Sequence, residues 1–96
     1  MPRVTVLFYG AFRDFAGGRR RTSVAASSVG DALERVAEQV PSLRERLRDE
    51  HGRLREHLNV FANDEEIGRL DGERTALHDG DVVHVIPAIS GGRNGR

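Results

Sequence analysis

Apolar and polar positions alternate along residues 4–9, the first strand-like segment of the chain. Successive side chains of a β-strand point to opposite faces, so one face of this segment is expected to lie in the core. The inward positions are Val4, Val6 and Phe8. Gly10 ends the strand, and residues 11–18 are interpreted as a long loop ending in two glycines. Residues 19–26 are predicted to return as the second strand of a hairpin, with inward positions Thr22 and Val24.

After residue 28 the apolar residues follow at spacings of four, three, one and three, which indicates one face of an α-helix. Ser28 and Asp31 stand in the capping-box arrangement, in which each side chain satisfies a free backbone amide of the first turn. The buried face is predicted to contain Val29, Leu33, Val36, Ala37 and Val40. Pro41 ends this helix, and residues 42–47 are expected to form a shorter helical piece.

The second half of the chain is predicted to contain three more strands after a charged surface loop at residues 48–57. A strand at residues 58–62 has alternating character, and a short strand follows at residues 66–67. The last strand, residues 82–89, is the most apolar stretch of the sequence. Turn-forming residues separate these segments.

One helix of about three turns covers a single face of a sheet, which restricts the possible packing. The order strand, strand, helix, strand, short strand, strand favours a mixed sheet on one main helix, with the last strand beside the first. The sequence therefore predicts an α+β fold of the β-grasp, or ubiquitin-like, type. Residues 1–90 are expected to form this domain, and residues 91–96 a flexible C-terminal tail.

Composition removes several classes of function. Fifteen basic and fifteen acidic residues cancel in the 96-residue chain, which argues against a nucleic-acid partner. The absence of cysteine excludes disulfides, thiolate metal sites and a thiol nucleophile. No apolar run is long enough for a membrane span and no signal peptide is recognisable, so we expect a cytoplasmic protein. Every basic residue is arginine.

No motif typical of an active site is present. The acids at Asp79 and Asp81 lack the spacing of a calcium loop, and Gly17-Gly18 lacks the lysine and the helix of a phosphate-binding loop. Metal-ligand spacing is also absent among the four histidines, which are His51, His57, His78 and His84. The interpretation is that the chain is not an enzyme and needs neither a cofactor nor a metal.

The C-terminus is the exception, because the last strand runs directly into Ser90-Gly91-Gly92. A strand that leaves the domain as two glycines has no side chains to obstruct its passage through a narrow channel. Glycine pairs also occur at frayed chain ends. Combined with the β-grasp order of elements, the position of this pair is a specific signal.

Three segments carry a resemblance to a known family: residues 4–8 with 12–14, residues 59–65, and residues 79–92. Over these segments the chain resembles the MoaD/ThiS-type ubiquitin-like sulfur carriers, in their CysO-like branch. The resemblance implies a carrier whose C-terminal glycine is adenylated by an E1-like enzyme and converted by sulfide to a thiocarboxylate. By carry-over, Gly92 would hold the thiocarboxylate, and Gly91 and Gly92 would enter the active sites of partners.

The chain departs from the family pattern because Arg93-Asn94-Gly95-Arg96 follows the glycine pair. The resemblance implies a removable extension, cleaved between Gly92 and Arg93 by a JAMM-type metallopeptidase. A degenerate tail and a remnant of cloning remain alternatives.

The partners implied are an E1-like ATP-dependent adenylyltransferase or sulfurtransferase and a sulfur-accepting synthase, with no nucleic acid and no membrane. The expected partner-binding face is an outward apolar patch formed by Leu7, Tyr9, Phe61 and Ile86. Cysteine or another sulfur metabolite is the favoured product. Alternatives are the small subunit of molybdopterin synthase, a protein modifier conjugated through Gly92, and a plain interaction domain.

Overall fold

A computed structural model of the chain describes residues 1–87, which form a five-stranded mixed sheet packed on one main helix. The strands are β1 (Arg3–Phe8), β2 (Arg21–Ala25), β3 (Leu58–Ala62), β4 (Glu65–Glu66) and β5 (Val82–Pro87). The helices are α1 (Ala11–Phe15), α2 (Val29–Gln39) and α3 (Arg44–Leu47). Single 3-10 turns occupy Pro41–Leu43, Ile67–Arg69 and Gly72–Arg74. The predicted α+β fold with a mixed sheet and one principal helix is confirmed.

The strands lie in the order β2-β1-β5-β3-β4. β1 pairs antiparallel with β2 and parallel with β5, which confirms both the hairpin and the pairing of the first and last strands. β5 also pairs antiparallel with β3 and is therefore the central strand. The side of the sheet that faces α2 is buried, including the predicted positions Val4, Val6 and Phe8.

The main helix begins where the capping signal predicts. The Asp31 amide donates to the Ser28 hydroxyl at 3.1 Å, and the Asp31 carboxylate accepts from the Ser27 amide at 3.3 Å. The second bond thus lies one residue before its usual place in a capping box. α2 contributes five residues to the core, and these are Val29, Ala32, Leu33, Val36 and Ala37. Val40, predicted to be buried, is partly buried beside this core.

The structure corrects the predicted loop at residues 11–18, because α1 occupies its first half and buries Phe12. Five residues are too few to show helical periodicity, and the packing of Phe12 into the core stabilises the turn. Gly10 begins it at a φ of 57°, and a Cβ there would lie 2.9 Å from Cγ of Pro87. Glycine is needed at this position both for its conformation and for the close approach of β5.

Two predicted strands also have different limits. β2 is shorter than residues 19–26, and Thr22 is only half-buried, its hydroxyl donating to Oε1 of Gln39 at 2.7 Å. The short strand is Glu65–Glu66. Ile67 instead begins a 3-10 turn, and the Ile67 side chain is buried in the core. None of the described helices is long and apolar enough to cross a membrane.

The irregular segment at residues 48–57 agrees with the predicted loop, but it is anchored by Arg48. Its Nε donates to Oε2 of Glu34 on α2 at 2.7 Å, and its Nη1 donates to Oε2 of Glu73 at 3.0 Å. Nη1 also donates to the Gly52 carbonyl at 2.9 Å. The bonds to Glu73 are the main reason that the pKa of Arg48 is raised above its usual value, against the opposing effect of burial.

Candidate functional site

The candidate site comprises the outer face of the sheet, opposite α2, and the end of β5. Strand pairing places Leu7 beside His84 and His84 beside Phe61, across three adjacent strands. Ile86 lies one step further along β5, opposite Asn59. Leu7, Phe61 and Ile86 are all partly exposed on this face, on the side that the alternation predicts.

A polar pair occupies the centre of this face. The Tyr9 hydroxyl and Nδ1 of His84 are 2.8 Å apart, and their ring centroids are separated by 5.8 Å. Tyr9 follows the last residue of β1 and its amide donates to the Val85 carbonyl at 3.1 Å. The patch is therefore not continuous apolar surface, because the register inserts His84 between Leu7 and Phe61. The period-two spacing of His84 and Ile86 places both on one face, but only the register shows which neighbours His84 has.

The described part of the chain ends with the central strand β5. β5 is paired along both edges, and its last pair joins Pro87 to Leu58 of β3. Residues 88–96 lie outside the described part of the chain, so the predicted roles of Gly91, Gly92 and Arg93 stay predictions. Beside Pro87 a groove of about 450 Å³ runs between α1 and α3. The Arg46 guanidinium stacks 4.1 Å from the Phe15 ring centroid in its wall.

Acidic residues that stand close together in the sequence hold turns in the structure. The Asp81 carboxylate accepts the His78 amide at 2.8 Å, and this bond is the main cause of the lowered pKa of Asp81. The Asp49 carboxylate accepts the amides of Arg53 and His51, which lower its pKa. Among residues 1–87 no group of three His, Asp or Glu side chains is arranged to hold a metal ion.

Comparison with known proteins identifies the family to which the chain belongs. A family model described as the ThiS family matches residues 6–92. The chain belongs to the ThiS family. Small archaeal modifier protein 3 of Haloferax volcanii is 39% identical over 88 residues, which cover 88% of this chain and 94% of that protein. Sulfur carrier protein CysO of Mycobacterium tuberculosis is 32% identical over 91 residues, which cover 93% of this chain and 98% of that protein.

A solved structure supports the assignment of the ThiS-family fold. The chain superimposes on a chain of the Amycolatopsis orientalis BexX/CysO complex with a TM-score of 0.83 and 28% identity, covering 93% of this chain and 99% of that one. The fold is the ubiquitin-like β-grasp. Proteins of this family are small sulfur carriers and ubiquitin-like modifiers. They are substrates rather than catalysts. Partners appear in the names of two relatives: CysO of Amycolatopsis orientalis was solved in a complex with BexX, and a relative from Mycobacterium tuberculosis is a sulfur carrier subunit of molybdopterin synthase.

Proposed function

We propose that this chain is a sulfur carrier whose Gly92, exposed after removal of residues 93–96, is converted to a thiocarboxylate that donates sulfur for the synthesis of cysteine or another sulfur metabolite. One observation carries the proposal: the match to the ThiS family ends at residue 92, shortly after the central strand β5 ends at Pro87. β5 pairs with β1 as far as Val85 and with β3 as far as Pro87, so the strand that precedes the glycines is held within the sheet. Residues 1–90 form the body in this proposal, and residues 91–96 the tail.

The chemistry requires three steps at one carbonyl. A JAMM-type metallopeptidase hydrolyses the Gly92–Arg93 peptide bond with water and releases the last four residues. The Gly92 carboxylate then attacks the α-phosphorus of ATP, giving an acyl adenylate and pyrophosphate. Hydrosulfide adds to the acyl carbon and AMP leaves, so the products are the thiocarboxylate and AMP. The absence of cysteine means that no internal thiol competes for the acyl adenylate.

The E1-like enzyme is proposed to dock on the outer face through Leu7, Tyr9, Phe61 and Ile86. These side chains surround or adjoin His84 and are not covered by α2. Partly exposed aromatic and aliphatic side chains around a polar centre suit a protein interface, which combines apolar contact with hydrogen bonds. The same face is proposed for the sulfur-accepting synthase, because the carrier must present one tail to successive partners.

A protein modifier is the second candidate, favoured by the 39% identity to a small archaeal modifier protein. In that function Gly92 would form an isopeptide bond with a lysine of a target. The chain contains no lysine, so further copies could be added to it only at its N-terminus. The small subunit of molybdopterin synthase is a further possible form of the carrier, differing in the acceptor of sulfur.

The deciding experiment is the intact mass of the protein isolated from its native host under sulfur-demanding growth. A species that ends at Gly92 and is heavier than the carboxylate by the difference between sulfur and oxygen supports the carrier. Adducts on target lysines, without that species, favour the modifier. Only the full chain to Arg96, with neither product, contradicts both proposals.

The docking face is tested by substitution at Leu7, a partly exposed leucine of the face, and at an exposed leucine elsewhere. In a purified reaction with the E1-like enzyme, ATP and sulfide, Leu7→Asp is expected to raise the KM for the chain ending at Gly92. Leu70→Asp is the matched control, because Leu70 is 42% exposed in a turn beyond β4. Equal KM values for the two variants, with unchanged thermal unfolding, would contradict the proposed face.

A further inference from the structure

Strand pairing arranges five side chains in one row across the whole outer face. From β2 to β4 the row consists of Arg21, Leu7, His84, Phe61 and Glu66. It begins with a positive charge, passes through the central docking residues, and ends with a negative charge. No sequence spacing reveals this order, because each neighbour comes from a different strand.

The positive end of the row is reinforced by neighbouring arginines. Arg13, Arg20 and Arg21 line a groove of about 370 Å³ beside Tyr9, and Arg19 stands two residues before β2 begins at Arg21. Arg13 donates from Nε to the Phe8 carbonyl at 3.3 Å. Within residues 1–87 none of these arginines forms an ion pair. Four arginines against Asp14, which follows Arg13 on α1, give this edge a net positive charge.

The negative end is built from three consecutive carboxylates at the turn and β4. Asp64, Glu65 and Glu66 are all exposed. Glu66, opposite Phe61, lies on the outer face, whereas Glu65, opposite the buried Ala62, adds its charge at the same edge from the other face. In the part of the chain that the structure describes, they too lack ion-pair partners. Asn63 starts the turn at a φ of 55°, and the strand order places β4 at the opposite edge of the sheet from Arg21.

The arginines at the β2 edge form a positive pole and the carboxylates at the β4 edge form a negative pole, and the two charges are too far apart to cancel. Four strand spacings of about 4.8 Å place β2 and β4 roughly 19 Å apart. The Debye length at physiological ionic strength is about 8 Å, so each pole is screened from the other but not from a docked surface. A formal net charge of zero conceals this separation. β5 lies midway between the poles, and Pro87, the last residue that the structure describes, is three residues beyond His84 of the row.

We propose that this polarity fixes the orientation in which the E1-like adenylating enzyme docks, with an acidic surface of the enzyme against the β2 edge and a basic surface against the β4 edge. The inference rests on the proposed function. Complementary charge accelerates encounter and selects the register of an interface. The enzyme is the partner addressed here because, in the proposed reaction sequence, adenylation precedes every later transfer of sulfur.

The test measures ATP–pyrophosphate exchange by the E1-like enzyme of the same organism with the chain ending at Gly92. The variants reverse two charges at either pole: Arg20→Glu with Arg21→Glu, and Glu65→Arg with Glu66→Arg. Matched controls reverse exposed charges off the face: Arg53→Glu with Arg74→Glu, and Glu50→Arg with Glu56→Arg. Thermal unfolding verifies that each variant is folded.

Each pole variant is expected to raise the KM for the carrier about tenfold or more at low salt, with little change in kcat. The difference should shrink in about 1 M salt, where the Debye length is about 3 Å. Unchanged KM in folded pole variants, or equal losses in the controls, would overturn the inference. So would a wild-type dimer in light scattering that dissociates on charge reversal, because the poles would then serve a second copy. Absence of exchange with the wild type would refute the proposed function itself.

Discussion

Replacing Arg48 with alanine is expected to destabilise the fold without affecting docking. Arg48 connects three segments that are remote in sequence: α2 through Glu34, the 3-10 turn through Glu73, and its own loop through the Gly52 carbonyl. Its side chain is only 16% exposed, whereas those of Glu34 and Glu73 are 44% and 34% exposed. The variant removes all these bonds and leaves two carboxylates close together.

The magnitude follows from the exposure of the partners. Hydrogen bonds to charged groups contribute about 1.5–3 kcal/mol each when well buried. Exposed ion pairs contribute about 0–1 kcal/mol, and both carboxylates are near or above one-third exposed. We therefore expect Arg48→Ala to lower the free energy of unfolding by about 2 kcal/mol in total. Arg48→Lys should lose roughly half as much, because an ammonium group keeps the charge but not the fork that spans both carboxylates.

Urea denaturation followed by circular dichroism measures these values, and a double-mutant cycle with Glu73→Gln isolates the coupling. Arg48 bonds to α2 and to two loop segments rather than to the outer face, so pyrophosphate exchange at a temperature where the variant is folded should match the wild type. A loss below about 0.5 kcal/mol, typical of an ordinary surface substitution, would refute the reasoning. Loss of exchange in the folded variant would show that the network also supports the docking face.

Three further perturbations test local features. Replacing glycine with alanine inside a helix ordinarily stabilises a protein by about 1 kcal/mol. Gly30→Ala should instead lower the Tm, because the new Cβ would lie 2.9 Å from Oε1 and 3.1 Å from the carbonyl oxygen of Glu73. A higher Tm would contradict this packing. Ser28→Ala should cost about 1 kcal/mol in urea denaturation through loss of the N-cap, with Ser28→Asp as the retained-cap control. The Asp81 carboxylate is favoured in the folded state by the His78 amide, so its stabilisation is present above the ordinary pKa of 3.8 and is lost as pH falls through the lower folded value. Asp81→Asn should therefore reduce the fall in the free energy of unfolding at acid pH. An unchanged dependence on pH would contradict the role assigned to the Asp81 carboxylate.

Most of the architecture could be predicted from two sequence patterns, the alternation at residues 4–8 and the helical period of α2. Each pattern reflects a local rule, since a strand alternates faces and a helix buries every third or fourth residue. Ser28 marked the start of α2 because capping needs only neighbouring residues. The terminal Gly-Gly and the resemblance to sulfur carriers were likewise readable along the chain, and the match to the ThiS family confirms that assignment.

Other features depended on contacts between distant segments. α1 forms in five residues because Phe12 packs into the core, and Arg48 finds Glu34 and Glu73 only after folding. The polarised row across the outer face exists because four strand registers align Arg21 with Glu66 through three intervening residues. Sequence by itself determined which face each strand residue occupies, since that is set by the backbone's period of two. Tertiary structure alone decided which residues become neighbours on that face, since register is fixed by the packing of the whole sheet.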